Sequence, residues 1–162
     1  MFVYITVPVK QFALAAAGLA CTGLLLSCGG GGEEPTVISG HERVAVIEGW
    51  AQDLAAGNVE AAAGYFALPS LAENGPSPIT LRSRADAISF NRSLPCGARL
   101  VRARPRGRFI VATFRLTERP GGDCGSGDGR LARTAFAIRD GKITQWRRLA
   151  DPPQHSGEGP IV

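Results

Sequence analysis

The sequence predicts an α+β domain, with helices gathered in its first half and antiparallel strands in its second. Three observations predict it. Between residues 40 and 94, apolar residues recur at helical spacing behind Ser-x-x-Glu and Ser-x-x-Asp starts. From residue 98 onward, apolar and polar residues alternate in runs broken at Pro105-Arg106-Gly107 and at Asp140-Gly141. The last regular stretch, RLARTAFAIRDGKITQWRRL over residues 130–149, reads as a hairpin, because Asp-Gly suits a two-residue type I′ turn. Helices followed by strands imply helices packed on one face of an antiparallel sheet.

At 162 residues the chain is long enough for one domain with a real core. Its 18 basic residues exceed its 14 acidic ones, for a net charge of +4, and all but two of the basic residues are Arg. That excess is mild and spread along the chain, unlike the clustered basic stripe of a nucleic-acid binder, so no nucleic-acid partner is expected. No apolar run long enough to span a membrane follows residue 28.

The first segment reads as an address. Lys10 precedes the apolar run QFALAAAGLACTGLLLSC, which ends in Leu25-Leu26-Ser27-Cys28. This ending resembles the bacterial lipobox, which implies cleavage before Cys28 and a diacylglycerol on its thiol. Residues 1–27 are then a lipoprotein signal peptide. Residues 28–38, with Gly29-Gly30-Gly31-Gly32, form a flexible tether. Residues 39–151 are the domain, and residues 152–162, rich in Pro and Gly, a disordered tail. The expected location is the bacterial cell envelope, outside the cytoplasm, with the membrane as partner through a lipid anchor on Cys28.

Within the domain, Ser39-Gly40-His41-Glu42 has capping-box spacing and predicts a helix to about residue 56. Val44, Ile47, Ala51 and Leu54 form its apolar stripe, with Trp50 on the flank. Gly57 stops it, and Asn58 opens a second helix, VEAAAGYF, that turns Tyr65 and Phe66 inward. Pro69, Gly75, Pro76 and Pro78 predict a loop. Ser83-Arg84-Ala85-Asp86 predicts a third helix near residues 84–93, facing Ala85, Ile88 and Leu94 to the core, with Pro95 after it. Four strands follow, near 98–104, 108–118, and on both sides of Asp140-Gly141. Ile110, Ala112, Phe114 and Leu116 alternate with Phe109, Val111, Thr113 and Arg115, as in a central strand covered on both faces.

With W…LAAGNVEAAAGYFA early and FAIRDGKITQWRRLADP late, residues 40–152 resemble the nuclear transport factor 2-like superfamily. That group includes the SnoaL-like cyclases, ketosteroid isomerase, scytalone dehydratase and limonene-epoxide hydrolase. The resemblance implies a cone-shaped fold, about three N-terminal helices on a curved, mostly antiparallel sheet with a pocket between them. It also implies a homodimer as a candidate assembly. It implies no activity, because one fold hosts many.

Cys96 and Cys124 remain after Cys28 is assigned to lipid. In an oxidising compartment, at neighbouring ends of antiparallel strands, they are expected to form a disulfide. No metal site or cofactor is expected: two cysteines are too few ligands, and His41 and His155 sit near the ends.

Counting back from Asp140-Gly141 pairs Ala135 with Trp146 and Arg133 with Arg148, so those four share a face with Ala137, while Phe136, Ile138 and Ile143 take the other. The resemblance makes the Trp146 face the pocket face. Limonene-epoxide hydrolases place a catalytic acid after a similar Trp-Arg pair; here that position is Arg148, which cannot activate water. Ketosteroid isomerase needs a carboxylate after its second helix, and here only Glu73 is available. Two arginines facing each other repel unless an anion lies between them. Arg133 and Arg148 would therefore hold an anionic ligand group, or else meet Asp53, Glu60 or Asp86, or lie solvated on a rim. Trp50, Tyr65, Phe66, Phe90, Phe114 and Trp146 are either the apolar wall of a small-molecule pocket or core. No catalytic residue is assigned, which leans against an enzyme. The expected function is a small-molecule or protein binding module, with a SnoaL-like isomerase, cyclase or hydrolase and a dimeric envelope-interaction protein as alternatives.

Overall fold

The computed structural model describes residues 40–151. The Cys28 anchor, the tether, the Ser39 cap and the tail from residue 152 lie outside the described residues. Three helices pack on one face of a six-stranded sheet, in the order α1 (Gly40–Ala55), α2 (Val59–Ala63), β1 (Phe66–Glu73), β2 (Ile79–Leu81), α3 (Arg84–Ser93), β3 (Gly97–Arg106), β4 (Phe109–Thr117), β5 (Leu131–Arg139) and β6 (Lys142–Leu149). The strand order is β2-β1-β6-β5-β4-β3, antiparallel except for the parallel β1–β6 pair. The sheet is curved and unclosed, and the α+β expectation holds.

Ile47, Trp50, Ala51 and Leu54 are the buried stripe of α1, with Trp50 in its centre rather than on its flank. Gly57 ends the helix with φ +80, a conformation that costs glycine little. The second helix is shorter than expected. The N–H of Gly64 bonds back to the Ala61 carbonyl at 2.9 Å, the chain leaves the helix, and Phe66 opens a strand.

β1 corrects the start of the expected loop, while Gly75, Pro76 and Pro78 do lie in the turn between β1 and β2. Pro69 cannot donate to a ladder, and β1 takes it within a register shift between Phe66 and Leu71; the Leu68-Pro69 bond is cis. α3 begins and ends where its sequence signals place it. Ser83 and Asp86 form a reciprocal capping box, with the Ser83 oxygen accepting from the Asp86 N–H at 3.2 Å. Its buried residues are Ala87, Phe90 and Asn91; Ala85 is exposed, half a turn from its expected direction. Pro105 lies inside β3, and the β3–β4 turn is the two residues Gly107 and Arg108.

Cys96 and Cys124 are joined by a disulfide, with their Cα atoms 4.5 Å apart and a sequence separation of 28. On loop-entropy grounds a loop of that size stabilises the fold by about 3–4 kcal/mol. The Gly-rich segment folds over it. A Cβ on Gly127 would meet both sulfurs, at 3.1 and 3.3 Å, closer than ordinary van der Waals contact, so glycine suits this close approach. Arg119 completes this corner. Its side chain is buried and donates to the carbonyls of Arg92, Leu94 and Pro120, so the cation sits on the C-terminal carbonyls of α3 without a carboxylate.

The β5–β6 hairpin corrects the expected register. Arg139 pairs with Lys142 and Ile138 with Ile143, as counted, but then the register shifts. Ala137 lies opposite Gln145, Phe136 opposite Trp146, Ala135 opposite Arg147 and Thr134 opposite Arg148. Thr144 is the extra residue, and its hydroxyl donates to the Ala137 carbonyl at 3.1 Å. One inserted residue flips every later side chain to the other face. Trp146 therefore shares the helix-covered face with Phe136, Ile138 and Ile143, and Arg133 is paired with Leu149, not with Arg148.

Candidate functional site

The helix-covered, inner face of the sheet is first of all a packed aromatic core. Trp50 of α1 meets Phe136, Phe114 and Trp146 edge to face, with ring centroids 5.5, 5.9 and 6.3 Å apart. Phe90 of α3 meets Trp146 at 5.1 Å and Phe66 at 5.8 Å. Phe66 and Phe90 are thus core, and they fill one end of the space between helices and sheet. Trp50 donates its indole N–H to Asn91 Oδ1 at 2.8 Å, and Asn91 in turn donates to the Ala87 carbonyl at 2.8 Å. Asn91 is wholly buried, so this bond satisfies a group that would otherwise be costly. Nothing in the pattern of α3 marks Asn91 as inward-facing.

The other end of that space stays open. A cavity of about 230 Å³ lies between α1 and the sheet, beside the disulfide. Its inner wall is Trp50, Leu54, Phe114, Ala132, Thr134 and Trp146, and its mouth carries Asn74, Pro95, Leu116 and Arg148. Leu94, Cys96 and Ala98 close the side. Of the eight residues the sequence suggests for a ligand pocket, four line it: Trp50, Phe114, Trp146 and Arg148. Phe66 and Phe90 lie in the core behind it. Tyr65 packs against α1, and its hydroxyl lies against the α-carbon of Gly49, where any Cβ would collide with the ring. Burial pushes the Tyr65 hydroxyl pKa up, reinforced by the charge of Asp53 and the hydrogen bond Tyr65 makes to it.

Arg133 and Arg148 do not meet. The Thr144 bulge leaves them on opposite faces, Arg148 at the cavity mouth and Arg133 in a groove of the outer face. Arg148 donates to Asp151 Oδ1 at 2.6 Å, which partly neutralises it. Glu73 is also outside the cavity. It stands at the end of β1 opposite Arg147, which holds it with two bonds of 2.6 and 3.0 Å, while Gln145 donates to it at 2.7 Å. The Arg147 bonds, outweighing partial burial and aided by Gln145, lower its pKa, so it stays ionised and paired. That is the opposite of what a general base for an apolar substrate needs. Among the described residues no group of three or more His, Cys, Asp or Glu side chains is placed to hold a metal.

A curved sheet with helices on one face, its interior part packed and part open beside β6, settles the architecture. The fold is that of nuclear transport factor 2-like proteins. Solved structures agree. A nuclear transport factor 2-like protein of unknown function from Burkholderia xenovorans is 16% identical, covers 72% of this chain and 89% of its own, and superposes with a TM-score of 0.52. A Kribbella flavida protein provisionally named a ketosteroid isomerase is 19% identical, covers 75% and 90%, and has a TM-score of 0.51. A de novo designed protein with a curved β-sheet is 19% identical, covers 71% and 89%, and has a TM-score of 0.55. The sequence matches no protein-family model and no curated protein. At these identities the likeness is one of fold.

Proposed function

We propose that this protein is a lipid-anchored lipoprotein of the cell envelope whose nuclear transport factor 2-like domain binds a small, largely apolar ligand without transforming it. The observation that carries the reading is the cavity lining. Its wall is apolar and aromatic, and its polar groups are Asn74, Thr134 and Arg148. Among the described residues no carboxylate, imidazole or amine lines it, and the cysteine that does, Cys96, is in the disulfide. An isomerase or cyclase would need a group there to move a proton, with a partner to hold it. Arg148 stands at the mouth, where its fork would exchange Asp151 for a ligand carboxylate or phosphate while the apolar body enters. The lipobox-like run Leu25-Leu26-Ser27-Cys28, followed by a Gly-rich stretch, supports the anchor.

The chain's two tryptophans both line the cavity, so intrinsic fluorescence reports its occupancy. Decanoate is expected to change the emission saturably, and to bind at least about tenfold more tightly than decan-1-ol, the worth of one charge-assisted hydrogen bond. Arg148→Gln should erase that preference, and Ala132→Leu, which fills the cavity, should weaken both ligands while leaving the circular dichroism native. A titration without saturation, or one untouched by Ala132→Leu, would overturn the binding reading. Persistence of the Cys28→Ala variant in the membrane fraction, unprocessed segment removed, would overturn the anchor.

A further inference from the structure

The outer face of the sheet carries a charge arrangement that the cavity does not explain. Arg102, Arg104 and Arg106 alternate along β3, an edge strand, and all three are exposed. Thr113 of β4 lies opposite Arg102 on one side and opposite Arg133 of β5 on the other. The four arginines line one groove of about 280 Å³, floored by Val111 and Thr113. Arg102 donates to the Thr113 hydroxyl at 3.3 Å. Among the described residues no carboxylate pairs with any of the four, and Arg133 Nε is buried without a hydrogen-bond partner. Glu73, the acid on this face, is already held by Arg147. Guanidinium groups crowded without counter-charge repel one another, and their forks match phosphate oxygens.

We infer that this groove docks the anionic phospholipid headgroups of the membrane, as a second contact beside the lipid anchor. Two features favour that occupant. A second copy of the chain laid on this face would set arginine against arginine. Beside Arg102 the register shift of β3 pushes out Val101, an apolar side chain 53% exposed, so the edge offers the mixed apolar and cationic contact that suits a bilayer interface. The inference rests on the anchor reading only for proximity: the 12 residues from Cys28 to Gly40 reach at most about 40 Å. The diacylglycerol expected on Cys28 brings two acyl chains, which hold the protein at the membrane, and a basic surface adds a headgroup contact there.

The test uses the chain from Gly29 onward, which keeps every buried core residue and lacks the anchor, so its outcome is independent of both the anchor and the cavity. It is sedimented with vesicles of phosphatidylcholine, alone or with about 30 mol % phosphatidylglycerol, at low salt. Binding is expected to the anionic vesicles and not to the neutral ones. Replacing Arg102, Arg104 and Arg106 together by Gln should weaken it on the order of a hundredfold, with the circular dichroism unchanged. Replacing Arg84, Arg92 and Arg139 by Gln removes the same charge elsewhere and should weaken it far less. Equal binding to both vesicles, equal loss in the two triple variants, or displacement by inorganic phosphate at about 10 mM in constant ionic strength would each overturn the proposal. So would tighter binding to single-stranded DNA of matched charge.

Discussion

The inner and outer faces of this one sheet solve burial in opposite ways. On the inner face the packed side chains are neutral and Arg148, at the cavity mouth, is paired with Asp151; the rings of Trp50, Phe90, Phe114, Phe136 and Trp146 contact one another, and the fully buried amide Asn91 has its partners. On the outer face the strands are covered by guanidinium side chains lying along them: Arg102 on Thr113, Arg108 over Phe109 at 4.8 Å, and Arg147 on Glu73. Which face the β6 residues from Gln145 onward take is decided by one insertion, Thr144. The difference teaches that stability resides on one face, and that the charge on the other is largely free for contact with something else.

The comparison is broken most directly by cutting one large side chain from each face. Phe136 is wholly buried among rings, so Phe136→Ala should cost about 3–5 kcal/mol through lost transfer energy and a cavity. Val111, half-buried on the outer face, should cost about 1 kcal/mol as Val111→Ala. Urea denaturation of the two variants measures both, and losses of similar size would remove the asymmetry. A finer cut divides the two tryptophans. Both are buried and both touch Phe rings, but the Trp50 indole N–H is bonded to Asn91 and that of Trp146 has no partner among the described residues. Trp50→Phe orphans a buried amide oxygen and should cost about 1–3 kcal/mol more than Trp146→Phe. Equal midpoints for the pair would show that the bond contributes nothing net.

Much of this was legible in the sequence, and the failures share a cause. The α3 boundaries follow from Ser83, Asp86 and Pro95, because caps and breakers act within a few residues. The disulfide follows from strand ends that a hairpin must bring together. What stayed hidden depends on partners far along the chain. Gly75, Pro76 and Pro78 read as loop and are the turn between β1 and β2, but Pro69 lies inside β1, which pairs in parallel with β6 some 70 residues away, and that ladder outweighs local propensity. The Thr144 bulge leaves no mark in a hairpin count, and it alone moved Trp146 beside Phe136 and parted Arg133 from Arg148. The aromatic residues were visible as a set; which of them line a cavity and which fill the core depends on helix placement.

The smallest expected effect tests whether outer-face charge stabilises the fold at all. Glu73 is the one outer-face acid seen to be paired, and its pKa is lowered chiefly by the hydrogen bonds from Arg147. A carboxyl with a depressed folded-state pKa contributes stability above its unfolded value, and that contribution fades as pH falls through the folded value. The urea midpoint of the native protein should therefore exceed that of Glu73→Gln near pH 7, and the gap should close as pH drops through and below the usual glutamate range. The pair is partly exposed, so the gap should be a small fraction of the Phe136 effect and shrink further in about 1 M salt. Trp146→Phe, on the inner face, should show no such trend, since no charge there titrates with it. A Glu73→Gln gap that held constant from pH 7 to about pH 3 would mean the glutamate acts by shape and hydrogen bonding rather than by charge. The two faces would then differ in composition but not in how they hold the protein together.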